Sequence, residues 1–359
     1  MITRRQFTIG ASTLSAMLGG AAAAIAATPV MRWANASGFA SPQLANGTIG
    51  MHPKLGFYKE EGIELEVLNM LGSATTIQNV VSKVCEFASL SPVSYLPLKA
   101  KNPKVDLTVP YVWLRPMHTQ LYVLPNSPYQ KVADLKGKNI GFINQSDTSY
   151  QMARQMFKEL GLDVDQDVTW TSTGAGIPAA KALVDGTVDA LAGADTNIAL
   201  LEIAGYSYRG LPNIGLVSQL FGLAWGVRRS ALVEDRKFYV GLFRGMTKST
   251  IFAQANPELA TRLHYDLYPE AVPKGVPFEQ AVKEAQKILE VRKDKWLPSS
   301  SPGGDPRFGG QTAKDWEAWL QFAGLEDQIK DTSALYTNEL LDEVNDFDQA
   351  AIKKMALHG

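Results

Sequence analysis

Two stretches about a hundred residues apart are built to one plan, and that repetition limits the folds open to this chain. Gly72-Ser73-Ala74-Thr75-Thr76 opens a helix that runs to about Lys83 and gives way to an apolar strand at 85–90. Gly174-Ala175-Gly176-Ile177-Pro178 opens a second helix, followed by a strand at 186–191. Gly72 to Glu86 is a step of 14 (86 − 72), and Gly174 to Asp189 a step of 15 (189 − 174). A strand precedes each unit. Ile63-Glu64-Leu65-Glu66-Val67 alternates apolar and charged residues, the period of a half-buried strand, and Val168-Thr169-Trp170-Thr171 occupies the matching place. Two strand–helix–strand units with like turn chemistry favour two α/β lobes over one sheet, although such units are common.

The rest of the chain fits around these units. Residues 131–162 open with the charged turn Asp134-Leu135-Lys136-Gly137-Lys138 and continue as a short strand at 139–143. A polar cluster at 144–149 then leads into a helix whose Ala153, Phe157 and Leu160 fall at i, i+4 and i+7. Strand, polar loop and helix N-terminus together offer free N–H groups to a small ligand. Ser146 or Asp147 would serve equally as a helix cap. The first strand is expected at 29–34 and a first helix at 50–61, ending at Gly62. Residues 105–118 carry the chain towards a strand at 119–124, and 221–227, β-rich with two glycines, carries it back. A lobe inserted between two crossings is the topology of a hinged clamp. The expected division is 28–117 for the first part of lobe 1, 118–222 for lobe 2, and 223–359 for the return crossing and C-terminal helices. Those helices are expected at 238–255, 258–268, 278–293, 312–322 and 338–354, packed on lobe 1. Asn256-Pro257 separates the first two. The low-complexity loop 298–310 would border the cleft.

Composition narrows the function classes. Of 359 residues, 20% are charged and 45% apolar, which is ordinary for a globular protein. The formal charge is −1. Without Arg4 and Arg5 the remaining chain carries 33 − 36 = −3, a balance that argues against nucleic acid as a partner. Residues 1–27 read as a twin-arginine export signal: Thr3-Arg4-Arg5-Gln6-Phe7, an Ala-rich apolar run, and Ala24-Ile25-Ala26 as a cleavage site. An uncleaved anchor is the alternative, but the Ser, Thr and Gly content makes it a poor span. The mature protein is expected in a bacterial periplasm. Its only cysteine, Cys85, excludes an intramolecular disulfide and reads as a buried structural thiol.

Catalytic signatures are few. The chain has no HExxH, no GxGxxG after a strand, no P-loop and no GxSxG. His52, His118, His264 and His358 are scattered without ligand-spaced partners. No metal site, no cofactor and no enzymatic activity are expected.

The stretch Pro53-Lys54-Leu55-Gly56-Phe57-Tyr58-Lys59-Glu60-Glu61-Gly62-Ile63-Glu64-Leu65 resembles the opening of one group of substrate-binding proteins. These serve ABC importers for alkanesulfonates, taurine, nitrate and thiamine precursors. Residues 134–141, Asp-Leu-Lys-Gly-Lys-Asn-Ile-Gly, are similar to a segment of that family, and Gly186-Thr187-Val188-Asp189-Ala190 matches its Gly-x-Val-Asp-Ala turn. The likeness extends over about residues 28–345 and includes Tyr336-Thr337-Asn338. The first-lobe counterpart of the turn, 82–87, departs from it, with no Gly and with Glu86 in the Asp slot. His52-Pro53 is a second departure. The related pyrimidine-synthase enzymes need a cysteine-rich motif that a single Cys does not supply.

The resemblance implies a two-lobed α/β fold of the periplasmic-binding-protein type (type II), with a hinge, a ligand cleft and added C-terminal helices. It implies a monomer that delivers a small solute to an ABC importer permease. Strand-to-helix turns would face the cleft, which makes Asn35, Ser73, Thr75, Ser89, Ser91, Ser146, Thr148, Ser149, Gly174, Gly176 and Asp195 candidate ligand contacts. Each would serve equally as a cap or turn residue. Trp113 and Trp225, at strand ends and crossings, would form apolar walls or core. Arg115 and His118 lie in the first crossing, where they would meet an anion or bridge to the neighbouring lobe. The Ser/Thr-rich helix starts favour an anionic solute such as a sulfonate or aromatic carboxylate. Glu86, Asp147 and Asp195 would instead suit an amine or pyrimidine if they face the cleft. An exported enzyme or a ligand-sensing subunit on the same fold is the rival class.

Overall fold

The computed structural model describes residues 28–37, 40–70, 72–145, 147–298 and 304–358. The export signal expected at 1–27, Ser146 and part of the 298–310 loop lie outside the described residues. The strands are β1 (Val30–Asn35), β2 (Glu64–Asn69), β3 (Phe87–Leu90), β4 (Thr108–Leu114), β5 (Thr119–Val123), β6 (Asn139–Phe142), β7 (Thr169–Ser172), β8 (Ala190–Ala194), β9 (Arg209–Leu211) and β10 (Leu223–Val227). They form two five-stranded sheets, ordered β2-β1-β3-β10-β4 and β7-β6-β8-β5-β9. Within each, three strands run parallel, as crossover helices require, and the fourth in the order is antiparallel to its neighbours. Those fourth strands, β10 and β5, directly follow the two crossings between the sheets.

The two repeated units superimpose in their chemistry. Helix Ile177–Val184 is followed by Gly186 in the left-handed region (φ 73°). In the other unit helix Ser73–Val81 is followed by Lys83 at φ 65°, so a lysine adopts the conformation that glycine takes without strain. The acid slot is equally matched. Asp189 accepts from the backbone N–H of Asn139 at 2.9 Å, and Glu86 accepts from the N–H of Arg32 at 2.7 Å. Each acid therefore stitches its strand to the adjacent one. Both acids stand before the N-terminal ends of β3 and β8, whereas Asn35 and Ser89 stand at or next to the C-terminal ends of β1 and β3. The departure at Glu86 thus concerns the sheet and not the ligand.

Packing of the C-terminal part follows from an aromatic core. Trp33 and Trp225 meet edge-on at 4.9 Å, Trp225 stacks on Trp113 at 5.2 Å, and Phe243 of helix Arg236–Ala255 stacks on Tyr111 at 5.5 Å. Helix Arg236–Ala255 thereby covers one face of the first sheet. Three differences from the sequence reading have physical causes. The helix expected at 50–61 is broken into Ala45–Thr48, a 3-10 turn and Phe57–Glu60 by Pro53 and by Gly56 at φ 63°. The stretch at 338–354 is two helices, Leu341–Asn345 and Gln349–His358. Helix Phe278–Lys293 packs not only on lobe 1 but also against helix Asp195–Ile203, which follows β8.

Arg115, a candidate ligand contact, is instead committed to structure. Its guanidinium donates to Asp315 Oδ1 at 2.9 Å and to the Gly310 carbonyl at 2.7 Å, and it lies over the Phe221 ring. Both side chains of the pair are almost fully buried. This pair ties the first crossing to helix Ala313–Ala323, so removing one partner leaves an uncompensated charge. Asp315→Ala should cost about 3–5 kcal/mol in urea unfolding. The double change Arg115→Met/Asp315→Leu should recover most of that loss.

Candidate functional site

The C-terminal ends of β1 and β3, the side of β4 and the first turn of helix Asp195–Ile203 surround one cavity of about 250 Å³ between the sheets. Lobe 1 contributes Asn35, Ser37, Ser73, Ser89 and Trp113, with Ser41, Gln43 and Leu44 from the loop after β1. From the other side come His118, Thr196, Asn197 and Leu200, and helix Phe278–Lys293 supplies Ile288 and Arg292. Helix Ser73–Val81 begins here without a side-chain cap, which leaves its first N–H groups for the cavity region, whereas helix Asp195–Ile203 spends its first two on the His118 carbonyl at 2.9 Å and on Asp195 Oδ1.

The polar groups of lobe 1 are held in place. Trp33 Nε1 donates to Ser89 Oγ at 3.0 Å, Ser73 Oγ accepts from the Ser91 N–H at 3.2 Å, and Asn35 Nδ2 donates to Asn69 Oδ1 at 2.8 Å. Gln43 donates to Ser37 Oγ at 3.0 Å. The apolar wall is Trp113, backed by Trp225, which is buried and does not itself line the cavity. Two buried polar atoms of lining residues, Trp113 Nε1 and His118 Nδ1, have no partner among the described residues.

Arg292 is the one charged residue that lines the cavity among the described residues. Only 4% of it is exposed. Its Nε donates to Asp195 Oδ1 at 2.7 Å and one terminal nitrogen reaches Thr196 Oγ1 at 3.3 Å. Lys295 Nζ donates to the other carboxylate oxygen of Asp195, and the Thr196 N–H donates to Oδ1 at 2.7 Å. Burial alone would push the Asp195 carboxyl up, but Arg292, Lys295 and His118 together hold it below the usual carboxylate range. His118 is pushed down to about 3 by burial first, with Arg292 and Lys295 adding to it against the opposing pull of Asp195. The imidazole is therefore neutral, and the cluster of Arg292, Lys295 and Asp195 carries one net positive charge.

The structure brings together Asn35, Ser73, Ser89, Trp113 and His118 at this cavity. Gly174 and Gly176 line an adjoining recess of about 30 Å³, which shares Asn197 with it. The other candidates stand elsewhere. Thr75 is exposed on its helix, and Ser91 is buried beside Ser73 without lining the cavity. Thr148 and Ser149 begin helix Thr148–Glu159, where Asp147 accepts from the Ser149 N–H at 2.9 Å and caps the helix itself. That helix borders a wider open groove of about 610 Å³ with Val93, Pro97 and Phe322, where Arg154 pairs with Asp165 at 2.7 Å. Asp195 stands behind Arg292 with its carboxylate oxygens engaged, Glu86 pairs with Arg32 at 2.9 Å, and Asp147 serves its helix. None of the three acids that would suit an amine lines the cavity. Sequence reasoning missed Arg292, Thr196 and Asn197. The β8 exit turn Ala194-Asp195-Thr196-Asn197 was a readable signal for the last two, and Arg292 had none, as a basic residue in a helix's last turn is ordinary. Among the described residues no cluster of three or more His, Cys, Asp or Glu is disposed to hold a metal ion.

Two sheets joined by two crossings, with strand ends facing a shared cleft, define the two-lobed fold of periplasmic binding proteins. Solved structures with this fold include the periplasmic aliphatic sulphonate binding protein SsuA from Escherichia coli. It has a TM-score of 0.61 and 17% identity, over 89% of this chain and 91% of that one. Another is the alkanesulfonate-binding protein SsuA from Xanthomonas axonopodis pv. citri bound to MOPS, with a TM-score of 0.55 and 17% identity over 88% and 97%. A protein from Bordetella bronchiseptica RB50 aligns at 0.60 and 19% over 88% and 96%. No curated protein sequence matches the chain. A family model does: the chain belongs to the NMT1/THI5 like family, matched over residues 49–260, more than half of its length.

The buried imidazoles set a pH dependence. His264, like His118, is held neutral by burial, at about 4, with Ala40 O the one partner favouring its charged form. In the unfolded chain both titrate near 6.5. Their folded values are depressed, so the stability they contribute is full above about pH 6.5 and is lost as pH falls towards 4 and 3. At pH 5 each should have cost about 2 kcal/mol relative to pH 7, a range in which most carboxylates are still ionised. Urea midpoints at the two pH values should show the loss, and His118→Gln should remove about half of it.

Proposed function

We propose that this is an exported, periplasmic solute-binding protein that hands a small organic anion to the permease of an ABC importer. The observation that carries the reading is Arg292, among the described residues the one charged residue lining a cavity enclosed by elements of both lobes. A guanidinium with donors to spare, a neutral imidazole, hydroxyls from Ser73, Ser89 and Thr196, and the uncapped start of helix Ser73–Val81 are the chemistry of oxyanion recognition. Trp113, Leu44, Leu200, Leu223 and Ile288 offer an apolar surface to the rest of the solute. A sulfonate or aromatic carboxylate fits both halves. An amine or a pyrimidine cation finds no acid there, since Glu86, Asp147 and Asp195 are otherwise engaged. Binding would use contacts from both lobes to stabilise the closed cleft, with no covalent step. The solved neighbours with this fold include sulfonate-binding proteins, which supports the same class of solute.

A thermal-shift screen of the purified protein against sulfonates, aromatic acids, pyrimidines and polyamines tests the reading. A ligand present at 100 times its Kd should add about 2.7 kcal/mol of stability. Sulfonates or aromatic carboxylates should give the shift and polyamines none. Arg292→Met should cut it to about 0.4 kcal/mol at the same ligand concentration, a weakening of about a hundredfold, as expected for a lost buried charge-assisted contact of about 3 kcal/mol. Chemical turnover of a hit, or a shift with amines alone, would refute the proposal.

A further inference from the structure

We propose that Asp195 makes this cavity selective for singly charged anions over doubly charged ones of the same shape; this rests on the organic-anion reading given above. Three charges stand together at and behind the cavity wall: Arg292 at 4% exposure and Asp195 at 5%, both buried, and Lys295, whose side chain is partly buried at 21% exposure. Asp195 accepts from both cations, through Oδ1 to Arg292 Nε at 2.7 Å and through Oδ2 to Lys295 Nζ. The adjoining imidazole of His118 carries no charge, and no other charged side chain lines the cavity among the described residues. The cleft therefore presents one net positive charge where burial makes any unbalanced charge costly.

A monoanion brings this ensemble to neutrality. A dianion leaves it at −1, in a place poorly reached by water, and sets its second charge against a carboxylate that cannot turn away because both its oxygens are held. The Thr196 N–H gives Oδ1 a second bond and the carboxylate a third, at 2.7 Å, from the first turn of the helix that Asp195 begins. Asp195 does not line the cavity and is not expected to touch the solute. It sets the charge that Arg292 presents. The selectivity thus differs from a size filter, which would treat isosteric anions alike.

Benzenesulfonate and phenylphosphonate share a ring and a tetrahedral head but differ by one charge at about pH 9, where the phosphonate is doubly ionised. Calorimetric titration of the purified protein at that pH should show benzenesulfonate preferred by about tenfold or more, the scale of a single uncompensated charge in a partly buried site. Asp195→Asn raises the site to +2 and should bring the two affinities within about threefold or reverse them. Lys295→Gln lowers it to zero, so both affinities should fall and the preference for the sulfonate should widen. Equal binding of the two probes by the unaltered protein would overturn the inference while leaving the anion reading intact. So would an unchanged ratio in both variants. Failure of either probe, and of every other anion, to bind would instead remove the reading on which the inference rests. If Asp195→Asn does not fold, the Lys295→Gln ratio decides alone.

Discussion

The contact on which the site depends is the bond from Arg292 to Asp195, joining residues 97 positions apart in the chain. Burying a guanidinium and a carboxylate costs several kcal/mol per ion before any attraction is counted. It is tolerated here because every partner has more than one bond. Asp195 is held by two cations and by its own helix's N–H, while Arg292 adds Thr196. The consequence is geometric. Helix Phe278–Lys293 belongs to the C-terminal part of the chain, yet its end is fastened to the helix that follows β8 in the other sheet. That bond holds in place part of the cavity wall and, among the described residues, its one lining charge.

Much of the frame could be read from residues because local rules and tertiary packing agree. The two strand–helix–strand units declare themselves through period, turn glycines and an acid at a fixed step, and the structure gives each acid the same task on the neighbouring strand. Lys83 shows how firmly the backbone plan is held: the left-handed turn persists where glycine is absent. Local cues failed where a residue has two plausible partners. Thr148 and Ser149 open a helix as an anion-binding turn would, but Asp147 takes the Ser149 N–H and caps that helix itself. Arg115, in a crossing, looks free for a ligand until Asp315 arrives from 200 residues later in the chain.

Arg292 marks the limit of such reading. Its position in the last turn of a helix is adequately explained by the helix dipole, and nothing nearby in sequence hints at Asp195. It also lies beyond residues 49–260, the part matched by the family model. Two of the five candidates that reach the cavity, Ser73 and Ser89, belong to the repeated unit that was easiest to read, and the residue that brings the positive charge to its wall was the hardest.

This division of labour bears on what the cavity can recognise. Hydroxyls, a helix start and a tryptophan wall are generic: they accept many oxyanions and many apolar bodies, since hydrogen bonds from neutral donors discriminate weakly between a sulfonate and a carboxylate. Trp225 behind Trp113 stiffens the wall and so limits how far it can yield to a larger ring. Discrimination by charge needs something less adaptable, a fixed sum of paired charges, two of them buried and the third partly so. With His118 kept neutral by burial and by Arg292 and Lys295, that sum does not drift across the neutral pH range, and Asp195 decides its value.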